Sequence, residues 1–148
     1  MKLAARYAIG APPDRVFAAL TDPAILQRCI PGCEELAPDG ANQFRARVKV
    51  GVAGLKGVYT GRAELRYLDP PESFTLVVDG KGTPGFVRAT AAIRCEAEAS
   101  GTRVDCDAEV QVGGLIAAVG SRLIEAAARQ QMDAFFKQLT LHVVKQDT

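Results

Sequence analysis

The stretch Cys29-Ile-Pro-Gly-Cys33 puts two thiols four positions apart beside a proline and a glycine. Such a pair has three readings: half of a zinc clip, a redox dithiol, or a bend that happens to carry cysteines. A zinc site needs four ligands, or three and a water, so paired cysteines are ordinarily completed by a second pair or by histidines. Cys95 and Cys106 stand singly on separate alternating segments, and His142, the only histidine, lies near the C-terminal end. No metal is expected from this set. A serine or cysteine nucleophile would need a base, and His142 is the one imidazole present. Asp105, Asp107 and Glu109 could work as acid and base, but they alternate with apolar residues and face the wet side of a strand, opposite Arg88, Arg94 or Arg103. The glycines of GKGTPG at 80–85 lack the Gly-Lys-Ser/Thr ending and the following helix that would hold a phosphate, so they read as a hairpin turn. Nothing here assembles a catalytic set.

Composition narrows the classes further. The 148 residues are 48% hydrophobic and 24% charged, which describes a folded domain able to bury roughly two-thirds of its unfolded surface. Eighteen basic against 17 acidic side chains leave a net charge of +1, which excludes a broad electrostatic grip on nucleic acid. The opening MKLAARYAIG alternates apolar and other residues, and Arg6 interrupts any secretory core, so it reads as a strand. No apolar run approaches the ~20 residues of a membrane-spanning helix. The localisation expected is cytoplasmic, with four reduced thiols.

The elements follow from periodicity. After the first strand, Pro12 and Pro13 suit the first turn of a helix whose Val16, Phe17 and Leu20 share a face. Asp22-Pro23 opens a second short helix, PAILQRCI, which Pro31 and Gly32 end. From Glu34 to Val112 the period becomes two, through Phe44–Val50, Tyr59–Tyr67, Phe74–Val78, Ala89–Cys95 and Val104–Val112, which predicts strands with one wet and one buried face. Residues 115–144 return to helical spacing, with Ile124, Ala128, Met132, Phe135, Leu139 and Val143 on one side. The expectation is a single α+β domain over 1–148, a curved antiparallel sheet of about seven strands gripping a long C-terminal helix. In a meander, the turns at 51–57, 80–86 and 112–115 share one glycine-rich end with the Cys29–Cys33 bend. Many inward positions are small, among them Ala46, Gly61, Ala63, Ala127 and Ala128. Close packing would close the resulting gap unless something fills it, so an apolar ligand cavity of roughly 300 to 1,000 Å³ and a plain close-packed core both remain open.

The stretches APPDRVFAALTDPAILQRCIPGCEEL, LDPPESFTLVVDGKG with Gly85, GTRV and VQVGGLIAAVGSRLIEAAA resemble the carbon monoxide dehydrogenase CoxG family of the START-like, or SRPBCC, helix-grip superfamily. The resemblance implies a cavity between sheet and long helix. It also implies a non-catalytic accessory that links a molybdenum-containing CO dehydrogenase or a related hydroxylase to the membrane. Because such enzymes pass electrons to long-tailed quinones, a bound quinone or other lipid is the implied ligand, with no covalent cofactor. Many members carry a membrane-holding tail; KQDT ends this sequence, and peripheral contact at the inner face of the cell membrane, with Lys56 and Lys81 near anionic lipid, is the matching expectation.

Strand and helix phase then nominate Ile30, Leu55, Tyr59, Phe86, Ile93, Ile116, Val119 and Leu123 as the ligand wall, with Tyr59 offering a hydrogen bond to a carbonyl. Cys29, Pro31, Gly32, Cys33, Gly82, Gly85, Gly113 and Gly114 are nominated as hinge and mouth. Two other readings stay open: an adaptor with an empty cavity that docks an enzyme on the outer sheet face, and a START-like cyclase or hydrolase. If CIPGC is a bend, replacing Cys29 and Cys33 together by Ala leaves fold and metal content unchanged. Elemental analysis showing a stoichiometric metal lost in that variant would overturn the bend.

Overall fold

The computed structural model describes residues 1–146; residues 147 and 148, the end of the expected domain, lie outside the described residues. In chain order the elements are β1 (Lys2–Ile9), α1 (Pro13–Leu20), α2 (Pro23–Cys29), β2 (Cys33–Pro38), β3 (Gln43–Val50), β4 (Gly57–Asp69), β5 (Ser73–Gly82), β6 (Gly85–Glu98), β7 (Gly101–Gly113) and α3 (Ser121–Gln146). A 3₁₀ turn over Gly114–Val119 precedes α3. All neighbouring strands are antiparallel in the order β1-β7-β6-β5-β4-β3-β2, so the chain closes its meander by laying β1 against β7.

Local chemistry accounts for the two short helices. Proline stands in the first turn of each, where the missing N–H costs nothing. Asp22 caps α2 by accepting a hydrogen bond from the Ala24 N–H at 2.9 Å. The chain leaves α2 through Gly32, whose φ of 73° and close approach to Lys49 leave no room for a side chain: a Cβ there would lie 2.0 Å from the Lys49 carbonyl oxygen. The Gly32 carbonyl accepts from the Lys49 N–H at 2.8 Å, which locks the bend to the end of β3.

The long helix is shorter than its sequence pattern. The helical spacing expected from residue 115 divides at Gly120, where φ is 100°. The segment before it takes the tighter 3₁₀ form and packs Ile116 against Gly85 at the start of β6. Beyond Gly120, α3 packs unevenly. Its C-terminal half buries Phe136, Leu139 and Val143 among Val16, Phe17, Leu20 and Val104. The close backbone approaches of α3 are to α1, α2, β1 and the 3₁₀ turn, whereas the central strands stand further off.

Two glycines face each other in the middle of the sheet, Gly61 on β4 and Gly80 on β5. At Gly61 an added Cβ would lie 1.9 Å from the Asp79 carbonyl oxygen, so only glycine allows the two strands to approach as they do. Gly51, in the β3–β4 turn, has open space around the corresponding position. Gly61→Ala is therefore expected to lower unfolding free energy by about 2 kcal/mol, and Gly51→Ala by no more than about 0.5 kcal/mol, in denaturant titrations. Equal effects would mean that the close approach of β4 and β5 at Gly61 does not require glycine.

Candidate functional site

Between the sheet and α3 lie two adjoining apolar compartments of about 280 and 350 Å³, the first against the N-terminal half of the helix and the second against its middle and the short helices α1 and α2. Inward-facing valines on four strands, Val48 and Val50 on β3, Val78 on β5, Val87 on β6 and Val110 and Val112 on β7, wall the first compartment. Ala127 and Ala128 on α3 face them. β-Branched residues fit the pleated sheet but are short, and alanine on the helix is shorter still, so the two walls do not meet. Larger residues line the second compartment: Leu36, Phe44, Leu76, Met132 and Phe135. Ala46, Val48, Ala63, Val78 and Gln131 belong to both and form the waist between them.

The residues nominated from phase distribute as follows. Leu55, Tyr59 and Ile116 line the first compartment, and Ile30 and Ile93 the second. Three lie elsewhere. Leu123 is 59% exposed on the outer side of α3, because the helix begins only at Ser121 and its inward stripe starts at Ile124. Phe86 is 37% exposed on the outer face of β6, where its ring covers Gly113 on the neighbouring strand and lies 5.2 Å from the Arg88 guanidinium. The alternation of Ala89, Ala91, Ile93 and Cys95 places position 86 outward, a signal present in the sequence. Val119 packs on Gly54 at the rim. The valines of β3, β5, β6 and β7 are wall residues that the phase argument omits, although they share the inward phase of Ala46, Ala89 and Ala108.

Every nominated hinge residue lies at the end of the sheet bearing the β3–β4 and β5–β6 turns, together with the 3₁₀ turn. Gly57 abuts Pro84, Gly114 abuts Gly85, and Gly82 lies against the Val58 carbonyl. Cys29 is buried and Cys33 half-buried, both as free thiols. Among the described residues no group of three or more His, Cys, Asp and Glu side chains comes together as a metal site.

The polar groups near the cavity are largely engaged. The Tyr59 hydroxyl donates to the Leu55 carbonyl at 2.7 Å, so it pins the β3–β4 turn and its proton is not free for a ligand carbonyl, contrary to the expected role. Burial raises its pKa. Arg62 and Asp79 point to the outer face, where Arg62 pairs with Asp39 and Asp79 lies 3.6 Å from Arg88. Cys106 borders the second compartment, and burial, reinforced by Asp107, pushes its thiol up to about 11. Burial alone does the same for Cys95. A thiol with so high a pKa is a small apolar group at neutral pH and a poor nucleophile. Iodoacetamide at pH 8 is accordingly expected to leave Cys95 and Cys106 unmodified in the folded protein and to label them only after unfolding, as read by peptide mass. Rapid labelling of either in the native state would contradict their placement.

Among the described residues, no helix is long and apolar enough to cross a membrane. No curated protein matches the sequence significantly. The structure of a conserved protein from Geobacillus kaustophilus superimposes with a TM-score of 0.95 at 30% identity, over 98% of this chain and 96% of that one. The ZhuI aromatase/cyclase from Streptomyces sp. R1128 shares the fold at a TM-score of 0.73 and 17% identity, over 100% and 96% of the two chains. A protein from Thermus thermophilus does so at 0.74 and 18%, over the full length of both. These neighbours are helix-grip proteins, and the sheet wrapped on α3 is that fold. The family model for the carbon monoxide dehydrogenase CoxG subunit matches residues 6–144, nearly the whole length over which the sheet, the cavity and α3 are built, and the chain belongs to that family.

Proposed function

We propose that this protein is a non-catalytic carrier of a lipophilic molecule, a quinone or another lipid, and that it serves a molybdenum-containing CO dehydrogenase or a related hydroxylase. Family membership supports the accessory role. The observation that carries the ligand is the paired apolar space between the inward valines and the alanine face of α3. Burial of apolar ligand surface there contributes affinity at about 25 cal/mol per Å² before the costs of association. Catalysis finds little support inside: the walls bear a protonated thiol, an amide and a committed phenol, none of them a general base. Peripheral contact with the membrane, where such a ligand would be collected, belongs to the same reading.

Ala128 faces the valine wall and is only half-buried, so a large side chain can enter the empty space without displacing packed neighbours. Ala128→Trp is expected to abolish uptake of an isoprenoid-tailed quinone, read by native mass spectrometry, while the thermal midpoint stays at or above that of the parent. Undiminished uptake in a folded variant would remove this cavity as the binding site. A parent protein that takes up neither quinone nor lipid from membranes would instead favour an adaptor with an empty cavity.

A further inference from the structure

Among the described residues, most of the large apolar side chains that stand exposed gather at one end of the sheet. Val58 and Phe86 are the second residues of β4 and β6, Leu115 lies in the 3₁₀ turn at 76% exposure, and Leu123 lies in the first turn of α3. Ala117 and Ala118 are exposed beside Leu115. The segments that carry these residues touch one another, with Val119 on Gly54, Pro84 on Gly57 and Ile116 on Gly85, so they form one surface.

Charge at this end is of one sign. Residues 51–58, 81–86 and 113–123 hold Lys56, Lys81 and Arg122 and no Asp or Glu, in a chain whose net charge is only +1. All three cations are exposed, and among the described residues none of them pairs with a carboxylate. Asp79 and Glu125, two positions outside these segments, are already paired with Arg88 at 3.6 Å and Arg129 at 3.3 Å. Contiguous apolar exposure marks a surface that meets something other than water. Unopposed cations around it are complementary to a surface that is anionic at its rim and apolar beneath. A short apolar contact or a few cations alone gives weak attachment, and the two signals together hold more firmly.

We infer that this end is the face by which the protein docks on a bilayer carrying anionic lipid, with Leu115 and Leu123 entering the interface and Lys56, Lys81 and Arg122 at the level of the headgroups. The inference rests on the carrier reading for its purpose, and it deepens that reading by naming the side of the protein that meets the membrane. Val52, Leu55 and Ile116 line the first compartment from within, and they belong to the same two turns that carry Lys56 and Leu115 outward. Docking at this face therefore sets the compartment beside the lipid, with a single layer of turn between them. The other exposed apolar side chains lack this setting: Tyr67 is near the far end of β4, and Leu141 is near the end of α3.

The test is co-sedimentation of the full chain with vesicles of phosphatidylcholine alone or mixed in equal parts with phosphatidylglycerol, alongside uptake of an isoprenoid-tailed quinone from detergent micelles. The parent is expected to sediment with the mixed vesicles, to ignore phosphatidylcholine alone, and to be released by high salt. Leu115→Asp combined with Leu123→Asp should weaken binding to the mixed vesicles by about tenfold or more, and Lys56→Gln with Lys81→Gln by roughly tenfold at low salt. Leu141→Asp, a change at a comparably exposed leucine, should leave it unaltered. Each variant replaces exposed side chains, so the thermal midpoint and quinone uptake from micelles are expected to match the parent. Vesicle binding that survives both double substitutions, or that Leu141→Asp weakens as much, would overturn the assignment of this face. A parent that takes up quinone from micelles but sediments with neither vesicle overturns the docking, leaves the carrier reading standing, and gives the patch to a protein partner. A parent that docks as expected but takes up no quinone upholds the face and counts against the carrier.

Discussion

The cavity depends on how α3 is held against the edge strand β1. Tyr7 on β1 stacks its ring on Phe136 at a centroid distance of 4.0 Å and donates its hydroxyl to Asp133 at 2.7 Å. Arg129, one turn earlier, donates to the Ala4 carbonyl on the outer edge of the same strand at 3.1 Å. Burial and the bond to Asp133 both raise the Tyr7 pKa, so the phenol remains a donor throughout the neutral range. These contacts, near the middle of α3, fix the helix against the edge strand, and its backbone approaches α1, α2 and β1 and not the central strands. The short side chains there face each other across open space instead of closing it.

The other end is built around close backbone approaches rather than side-chain bulk. Gly85 lies against the Gly113 carbonyl and Ile116, and Gly114 against Gly85, so β6, β7 and the 3₁₀ turn meet almost backbone to backbone. Tyr59 ties the β3–β4 turn to its own strand. The outer face of the sheet is held differently, by exposed pairs such as Arg6 with Asp105 at 2.7 Å and Arg47 with Glu34 and Glu35. Pairs of that kind contribute little to stability and serve mainly to keep the wet face wet.

The architecture is legible because each segment repeats its own period for long enough to be unambiguous. Two short helices, six strands after them and a terminal amphipathic helix follow from proline positions and from the switch between periods two and 3.6. The parity of the meander also places the glycine-rich turns at one end, where the structure has them. The candidate site is legible only in part. Tyr59, Leu55, Ile116, Ile30 and Ile93 lie on the walls, whereas Leu123 and Phe86 do not. Leu123 faces inward only on a helix that starts at 115, and Gly120 resets the phase. Phe86 has the size and the glycine-rich surroundings of a wall residue, but its own alternation turns it outward.

What the sequence determines by itself is which face of each element is apolar, where the elements end, and that a net charge of +1 argues against a broad electrostatic grip on nucleic acid. These are local properties, set by side-chain spacing along one strand or helix. Tertiary structure alone decides whether facing apolar walls touch. The same valines and alanines would make a solid core if the two walls met, and the position of α3 is set by contacts such as that of Tyr7 with Phe136 and Asp133, between residues more than 120 positions apart.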